Sequence, residues 1–139
     1  MKKSVLSTLI TMVFSAALGN STLFALEPLC ADIPFDFTLG PKAFQAGKYC
    51  IREPQDHVVR IYNVNNWSGM IAMVQTAEIK KQPGNASFTF NRYGNHYFLA
   101  RVSDGMSGRE FHKSAAEKGL IAKGSGPSRD TGTTLLAAK

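Results

Sequence analysis

The sequence predicts a mainly β protein, a small antiparallel sandwich or barrel of about six strands with a short C-terminal helix. Three observations carry this. Apolar residues alternate with polar ones in several short runs, the period-2 pattern of strands with one buried face. Turn residues separate those runs at intervals of roughly 8–12 residues, as in antiparallel sheets. A helix start signal stands only late in the chain, at Ser114.

The elements follow in order. Ile33, Phe35, Phe37 and Leu39 alternate with Pro34, Asp36 and Thr38 until Gly40-Pro41 breaks the run. Ala46-Gly47 then leads into Lys48–Arg52, where Tyr49 and Ile51 share a face, so the two runs read as an opening hairpin. Glu53-Pro54-Gln55-Asp56 is turn-like, since Pro54 has no N–H for a ladder. Val58–Val64 is a third strand. Met70–Thr76 is a fourth, whose near-continuous apolar run predicts burial on both faces. Ser87–Tyr93 and Tyr97–Ser103 form a hairpin about Gly94-Asn95. A two-residue type II′ turn there sets Phe90 opposite Leu99 but Phe88 opposite Arg101. A three-residue loop pairs Phe88 with Val102 and Phe90 with Ala100 and keeps one face apolar. A bulge reconciles the two, and the register stays open. Ser114 and Glu117 make a capping box for a helix of roughly two turns.

Domain organisation is read from the ends inward. Lys2 and Lys3 precede an apolar run from Val5 to Leu18, and small and polar residues lead on to Ala25, which together predict a signal peptide over 1–25. The run is shorter than the about 20 apolar residues of a membrane span. Leu29 and Glu27 stand where a lipoprotein signal needs a small and a branched apolar residue, so Cys30 is not read as a lipidated N-terminus. A single β-rich domain is expected over 26–123, and a disordered tail of Gly, Ser, Thr and Pro over 124–139. The formal charge of +6 falls to +4 once the two lysines of the leader are removed. That mild excess suits an anionic envelope surface as well as plain solubility. Export argues against nucleic acid, and the aromatics interleaved with Arg92 and Arg101 are explained by a β core.

The order of four motifs carries a resemblance. I-P-F-D-F-T-L-G, F-Q-A-G-K-Y-C-I, F-N-R-Y-G-N-H-Y-F-L and G-R-E-F-H-K-S-A-A-E follow one another between Asp32 and Lys118. In this the chain resembles a group of small exported β-rich proteins of acidobacterial type. Gln45 and His112 stand where that group tends to have proline. The resemblance implies the fold and export, and it implies no activity and no site residues.

Chemistry is sparse. His57, His96 and His112 have no i+4 partner and no cysteine at metal spacing, so no metal site and no cofactor are expected. No nucleophile elbow or phosphate loop is present. Asp32 and Asp36, on one strand face, lie roughly 13 Å apart by the rise per residue, beyond the ~5–9.5 Å of glycosidase carboxyl pairs. No catalytic residue is assigned. Cys30 and Cys50 are the two cysteines, and an oxidising exterior favours pairing them. Yet the hairpin that keeps the apolar face continuous, Phe37 opposite Tyr49, sets Cys30 near Asp56. Direct cross-strand pairing of the cysteines instead centres the hairpin on Gly40 and puts Phe35 opposite Gln45. A bridge therefore requires the Leu26–Ala31 lead-in to fold back along the second strand as a segment outside the ladder, and both outcomes stay open. Trp67, the single tryptophan, lies between Asn66 and Ser68. With Tyr62 it could stack on a sugar ring, although a core-edge tryptophan closing the sheet is the commoner arrangement.

These readings converge on an exported non-enzymatic domain, a binding module of the envelope or exterior with carbohydrate as a candidate ligand. A small hydrolase assembled across loops and a self-associating surface protein are the rival classes. A pocket joining His57 or His96 to an acid favours the hydrolase, an exposed aromatic strip at Trp67 favours the binder, and a long open edge strand favours self-association.

Overall fold

A computed structural model of the chain describes residues 27–80, 85–124 and 134–136. The predicted signal peptide and most of the predicted tail lie outside the described residues. The elements are β1 (Leu29–Ile33), β2 (Phe37–Leu39), β3 (Lys42–Phe44), β4 (Gly47–Gln55), β5 (Val58–Asn63), β6 (Gly69–Ala77), β7 (Ser87–Tyr93), β8 (His96–Ser103), β9 (Gly108–Phe111), helix α1 (Ala115–Ala122) and β10 (Thr134–Leu136). The fold is mainly β, as expected, but the described residues form ten strands in an open sheet rather than about six. The main path runs β1-β4-β5-β6-β9-β8-β2-β3, with β7 on β8 and β10 on β7. Every pairing is antiparallel except β2 with β8, which meet at Thr38 and Phe98. No helix among the described residues is long and apolar enough to cross a membrane.

Two of the extra strands arise because the opening hairpin is two nested hairpins. Pro34-Phe35-Asp36 interrupts the predicted run, so β1 stays on β4 while β2 leaves to pair with β3 and β8. Gly40, at φ +57, turns β2 into β3, a conformation that a residue with a Cβ adopts at a cost. The β1–β4 ladder sets Cys30 opposite Cys50 and Ile33 opposite Gly47. The expected pairing of Phe37 with Tyr49 is therefore corrected to Phe37 with Phe44. The fold-back of a lead-in outside the ladder is corrected too: Cys30 and Cys50 are direct cross-strand partners in the Gly40-centred register, joined by a disulfide with their Cα atoms 4.0 Å apart, and the break after Ile33 spares Phe35 the place opposite Gln45.

β6 passes between two halves of the sheet. Gly69–Met73 pairs with β5, and Val74–Ala77 pairs with β9. β1, β4, β5 and the first half of β6 thus make one wing, and the remaining strands make the other. Ala31, Ile33, Tyr49, Ile51, Val59 and Ile61 from the first wing meet Phe37, Leu39, Phe44, Val74, Phe88, Phe90, Leu99, Val102 and Phe111 from the second. Phe37 is the junction, stacked on Phe44 at 5.1 Å and edge-on to Tyr49 at 5.2 Å and Phe90 at 5.5 Å. Burying a phenylalanine of this kind stabilises by about 2–3 kcal/mol. The predicted double burial of the fourth strand is corrected: Met70, Ala72 and Val74 face inward, whereas Ile71 and Met73 are 64% and 72% exposed.

Both registers weighed at the β7–β8 hairpin are partly realised. Gly94, at φ +61, and Asn95 make a two-residue turn with Tyr93 opposite His96, and Phe90 faces Leu99. A bulge between Thr89 and Phe90 then shifts the ladder so that Phe88 faces Val102. A second slip in the β4–β5 ladder falls between Arg52 and Gln55, around Pro54, where a ladder donor is missing. Gly108–Phe111, not read as a strand from sequence, is β9 and joins β6 to β8. Thr134–Leu136, inside the predicted tail, pairs with β7.

Helix α1 starts as predicted, with the Ser114 hydroxyl accepting from the Glu117 N–H at 3.1 Å. The other half of the capping box is diverted. Glu117 is 4% exposed, and its Oε1 accepts from Asn91 Nδ2 at 2.8 Å and from the Tyr93 hydroxyl at 2.9 Å. The carboxylate thus docks the short helix on β7 instead of satisfying its own N-terminus.

The disulfide closes a loop of 20 residues, which on the loop-entropy model stabilises the fold by about 3 kcal/mol. Thiol counting on denatured, unreduced protein is expected to find no free thiol. The Cys30→Ser, Cys50→Ser double variant should lose about 3 kcal/mol in urea unfolding. Two free thiols per chain would contradict the bridge.

Candidate functional site

Period 2 sends Cys50 and Arg52 of β4, Arg60 and Tyr62 of β5, and Gly69, Ile71 and Met73 of β6 to the side away from the core. The ladders align them in rows. One row is Cys30–Cys50–Tyr62–Gly69, and the next is Arg52–Arg60–Ile71. Gly69 is required here, because a Cβ would come 2.0 Å from the Ile61 carbonyl oxygen and 2.9 Å from the Tyr62 Cα.

The β5–β6 connection places Trp67 over this face. The Asn63 side-chain oxygen accepts from the Asn65 N–H at 2.8 Å, and the Asn63 carbonyl accepts from the Trp67 N–H at 2.9 Å. The Asn63 N–H donates to the Ser68 carbonyl at 2.8 Å, and Asn66 Oδ1 accepts from the Ser68 N–H at 2.9 Å. This network holds Trp67 at φ +59, in the left-handed region that bulky residues avoid at a cost of about 1–2 kcal/mol. The indole stacks on Tyr62 with centroids 5.4 Å apart and planes 6° from parallel. Tyr62 is 7% exposed and Trp67 is 69% exposed. The core-edge reading of Trp67 is therefore corrected, and the two predicted stacking residues do come together. One face of the indole rests on Tyr62 while the side chain as a whole stands in solvent. The Arg60 guanidinium lies 5.7 Å from the Tyr62 ring centroid, within cation–π range.

The second candidate is a depression of about 430 Å³ at the β2–β3 and β7–β8 ends, lined by Asp36, Phe44, Gln45, Asn95, His96 and Tyr97 among others. It joins a predicted histidine to a predicted acid. Asp36 Oδ1 accepts from the Ala46 N–H at 2.8 Å, so the carboxylate also holds the chain entering β4. His57 and His112 are exposed elsewhere, His57 in the β4–β5 turn at φ +63 and His112 just after β9. Among the described residues no group of three or more His, Cys, Asp or Glu could hold a metal ion.

A third opening, about 120 Å³, lies where the wings part, with Leu29, Ile51, Val59 and Val102 in its wall and Arg52 and Asp104 among its polar lining. The Arg109–Glu53 ion pair, 2.8 Å long and half-buried, ties β9 to β4 there. Burial pushes the Asp104 carboxyl up, but hydrogen bonds from the Ser107 and Met106 amides and the Ser107 hydroxyl outweigh it and hold the group below its ordinary value. Asp104 is thereby a turn residue between β8 and β9.

Comparison with protein-family models, with curated proteins and with solved structures finds no match to this chain, so the site is read from its own geometry. Sequence reasoning missed Arg52, Arg60, Ile71 and Met73 as part of the face. Their parity relative to Cys50, Tyr62 and Gly69 was legible. The pairing that makes them neighbours was not.

Tyr93 supplies a titration that reports on the helix dock. Burial first, then the hydrogen bond and the negative charge of Glu117, push its hydroxyl up from 10.0 to about 12. The folded state keeps this proton where the unfolded chain releases it, so the contribution is complete below pH about 10 and is lost between about 10 and 12. Absorbance at 295 nm should show a tyrosine titrating near 12 that Tyr93→Phe removes. The alkaline fall in stability should be shallower in that variant, and an unchanged late titration would refute the assignment.

Proposed function

We propose that this chain is an exported, non-enzymatic binding module that takes carbohydrate of the envelope or the exterior on the outer face of β4, β5 and β6. The observation that carries the reading is Trp67, a largely exposed indole held at positive φ on top of Tyr62. A folding role does not call for either property. An exposed Trp costs hydrophobic burial, and its backbone costs conformational energy, whereas glycine at this position would avoid both. A flat indole face flanked by Asn65, Asn66 and Ser68, all exposed, suits the C–H face of a sugar ring with hydroxyl groups at its edge. Export is part of the proposal. It is supported by the leader-like sequence over 1–25 and by the disulfide, which fits an oxidising compartment. The resemblance to small exported acidobacterial-type proteins supports it too. Against self-association, the strands that end the main path, β1 and β3, are only 5 and 3 residues long.

One observation favours a second reading. His96 and Asp36 share a depression, the arrangement expected of a small hydrolase.

Trp67→Gly separates binding from folding. It loses a stack worth about 1 kcal/mol and removes backbone strain of similar size, so the unfolding midpoint should stay nearly unchanged. Retention on soluble glycans in affinity electrophoresis should vanish. Undiminished retention would sink the stacking role. For the second reading, broad glycosidase and esterase screens are expected to give the same background for the native protein and for His96→Ala. Turnover that disappears with His96 would replace the binder by an enzyme.

A further inference from the structure

The face that carries Trp67 holds a second feature that folding does not require. Arg52 and Arg60 are direct cross-strand partners, both exposed. Like charges set opposite one another weaken a sheet. The ion pairs among the described residues are Arg101–Glu110 and Arg109–Glu53, so neither Arg52 nor Arg60 is neutralised by an acid. On the outer face the acid of the β1–β4 ladder is Asp32, opposite Lys48 and four residues along β4 from Arg52, roughly 13 Å away by the strand rise. Arg52 also lines the opening between the wings, where Glu27, Glu53 and Asp104 stand, and it forms an ion pair with none of them. Arg60 also adjoins the aromatic stack through the Tyr62 ring, and its other ladder partner is the exposed Ile71. Two unpaired guanidinium groups thus stand one row from an open indole.

We infer that the saccharide taken by this face is anionic: a sugar ring lies on Trp67, and a carboxylate or sulfate ester on the same or the adjoining unit is held between Arg60 and Arg52. The inference rests on the carbohydrate-binding reading above and narrows its ligand class. Guanidinium forks bind carboxylates and tetrahedral oxyanions through paired N–H donors, and such charge-assisted bonds are about twice as strong as neutral ones. An anion between the two arginines also removes the repulsion that the empty face carries. Uronate and sulfate share this chemistry, and the two are told apart by the probe.

The test is affinity electrophoresis of the purified protein in gels containing polygalacturonate, dextran sulfate or neutral dextran. Retardation by one of the two polyanions is expected, with neutral dextran weaker by about tenfold. Which polyanion acts identifies the carboxylate or the sulfate. The Arg52→Gln, Arg60→Gln double variant should lose about tenfold in retardation, with a melting temperature equal to or above that of the native protein because the like-charge pair is gone. Trp67→Gly should lose retardation as well. Neutral dextran retarding equally, sensitive to Trp67→Gly and indifferent to the arginine changes, would overturn the anionic inference while leaving the carbohydrate reading standing. Retardation by polyanions that survives both sets of changes, or none by any polymer, would overturn both.

Discussion

The two wings of this sheet meet through aromatic contacts centred on Phe37, and much of the architecture follows from getting that ring into place. Phe37 touches Phe44 of β3, Tyr49 of β4 and Phe90 of β7, so one side chain joins both wings. It reaches the centre only because Pro34-Phe35-Asp36 releases β2 from the line of β1. Phe35 then packs edge-on to Phe90 at 5.1 Å and stacks on Tyr97 at 4.0 Å. The break is stabilised from outside by Asp36, which accepts the Ala46 N–H as the chain returns. β1 remains on β4 and is clipped there by the disulfide, so the nested hairpin can fold inward without losing the outer ladder.

A consequence is a division of labour between faces. The inner side of β4, β5 and β6 is committed to the core, where Val59 and Ile61 are 1% and 0% exposed. The outer side is left with the disulfide, Tyr62, two arginines and two exposed apolar residues. Within that surface the close approach of Gly69 to Ile61 and Tyr62 keeps β6 tight against β5. The hydrogen-bonded Asn63–Ser68 turn meanwhile carries Trp67 outward. Rigid strands below and a short constrained loop above give the indole a defined position, which reduces the ordering cost that a flexible ligand-binding loop would carry.

Elsewhere in the sheet, polar groups serve the fold. Glu117 gives up part of its capping role to bind Asn91 and Tyr93, and it thereby anchors a helix of only 8 residues that local propensity would not sustain. The Arg109–Glu53 pair ties the wings where they part. Asp104 organises the turn that launches β9. Each of these three carboxylates is engaged by donors that hold a helix, a strand or a turn in place.

The sequence by itself determined the class of fold, most of the strands, the Gly94-Asn95 turn and the Ser114 cap. These are short-range matters: period-2 burial, a glycine at positive φ and a hydroxyl three residues from an amide are all written within a few positions. It also marked Cys30, Cys50, Tyr62 and Trp67 as the residues to watch. Only the tertiary structure decided how they meet. The Cys30–Cys50 bridge depends on β1 rather than β2 pairing with β4, a choice made by where Phe37 is buried. The exposure of Trp67, Ile71 and Met73 depends on β6 lending only its inner face to the core. Arg52 and Arg60 become a pair through a ladder between strands whose partner choice no local pattern encodes. Cross-strand register is settled by long-range packing, and that is where local sequence ceases to specify the site.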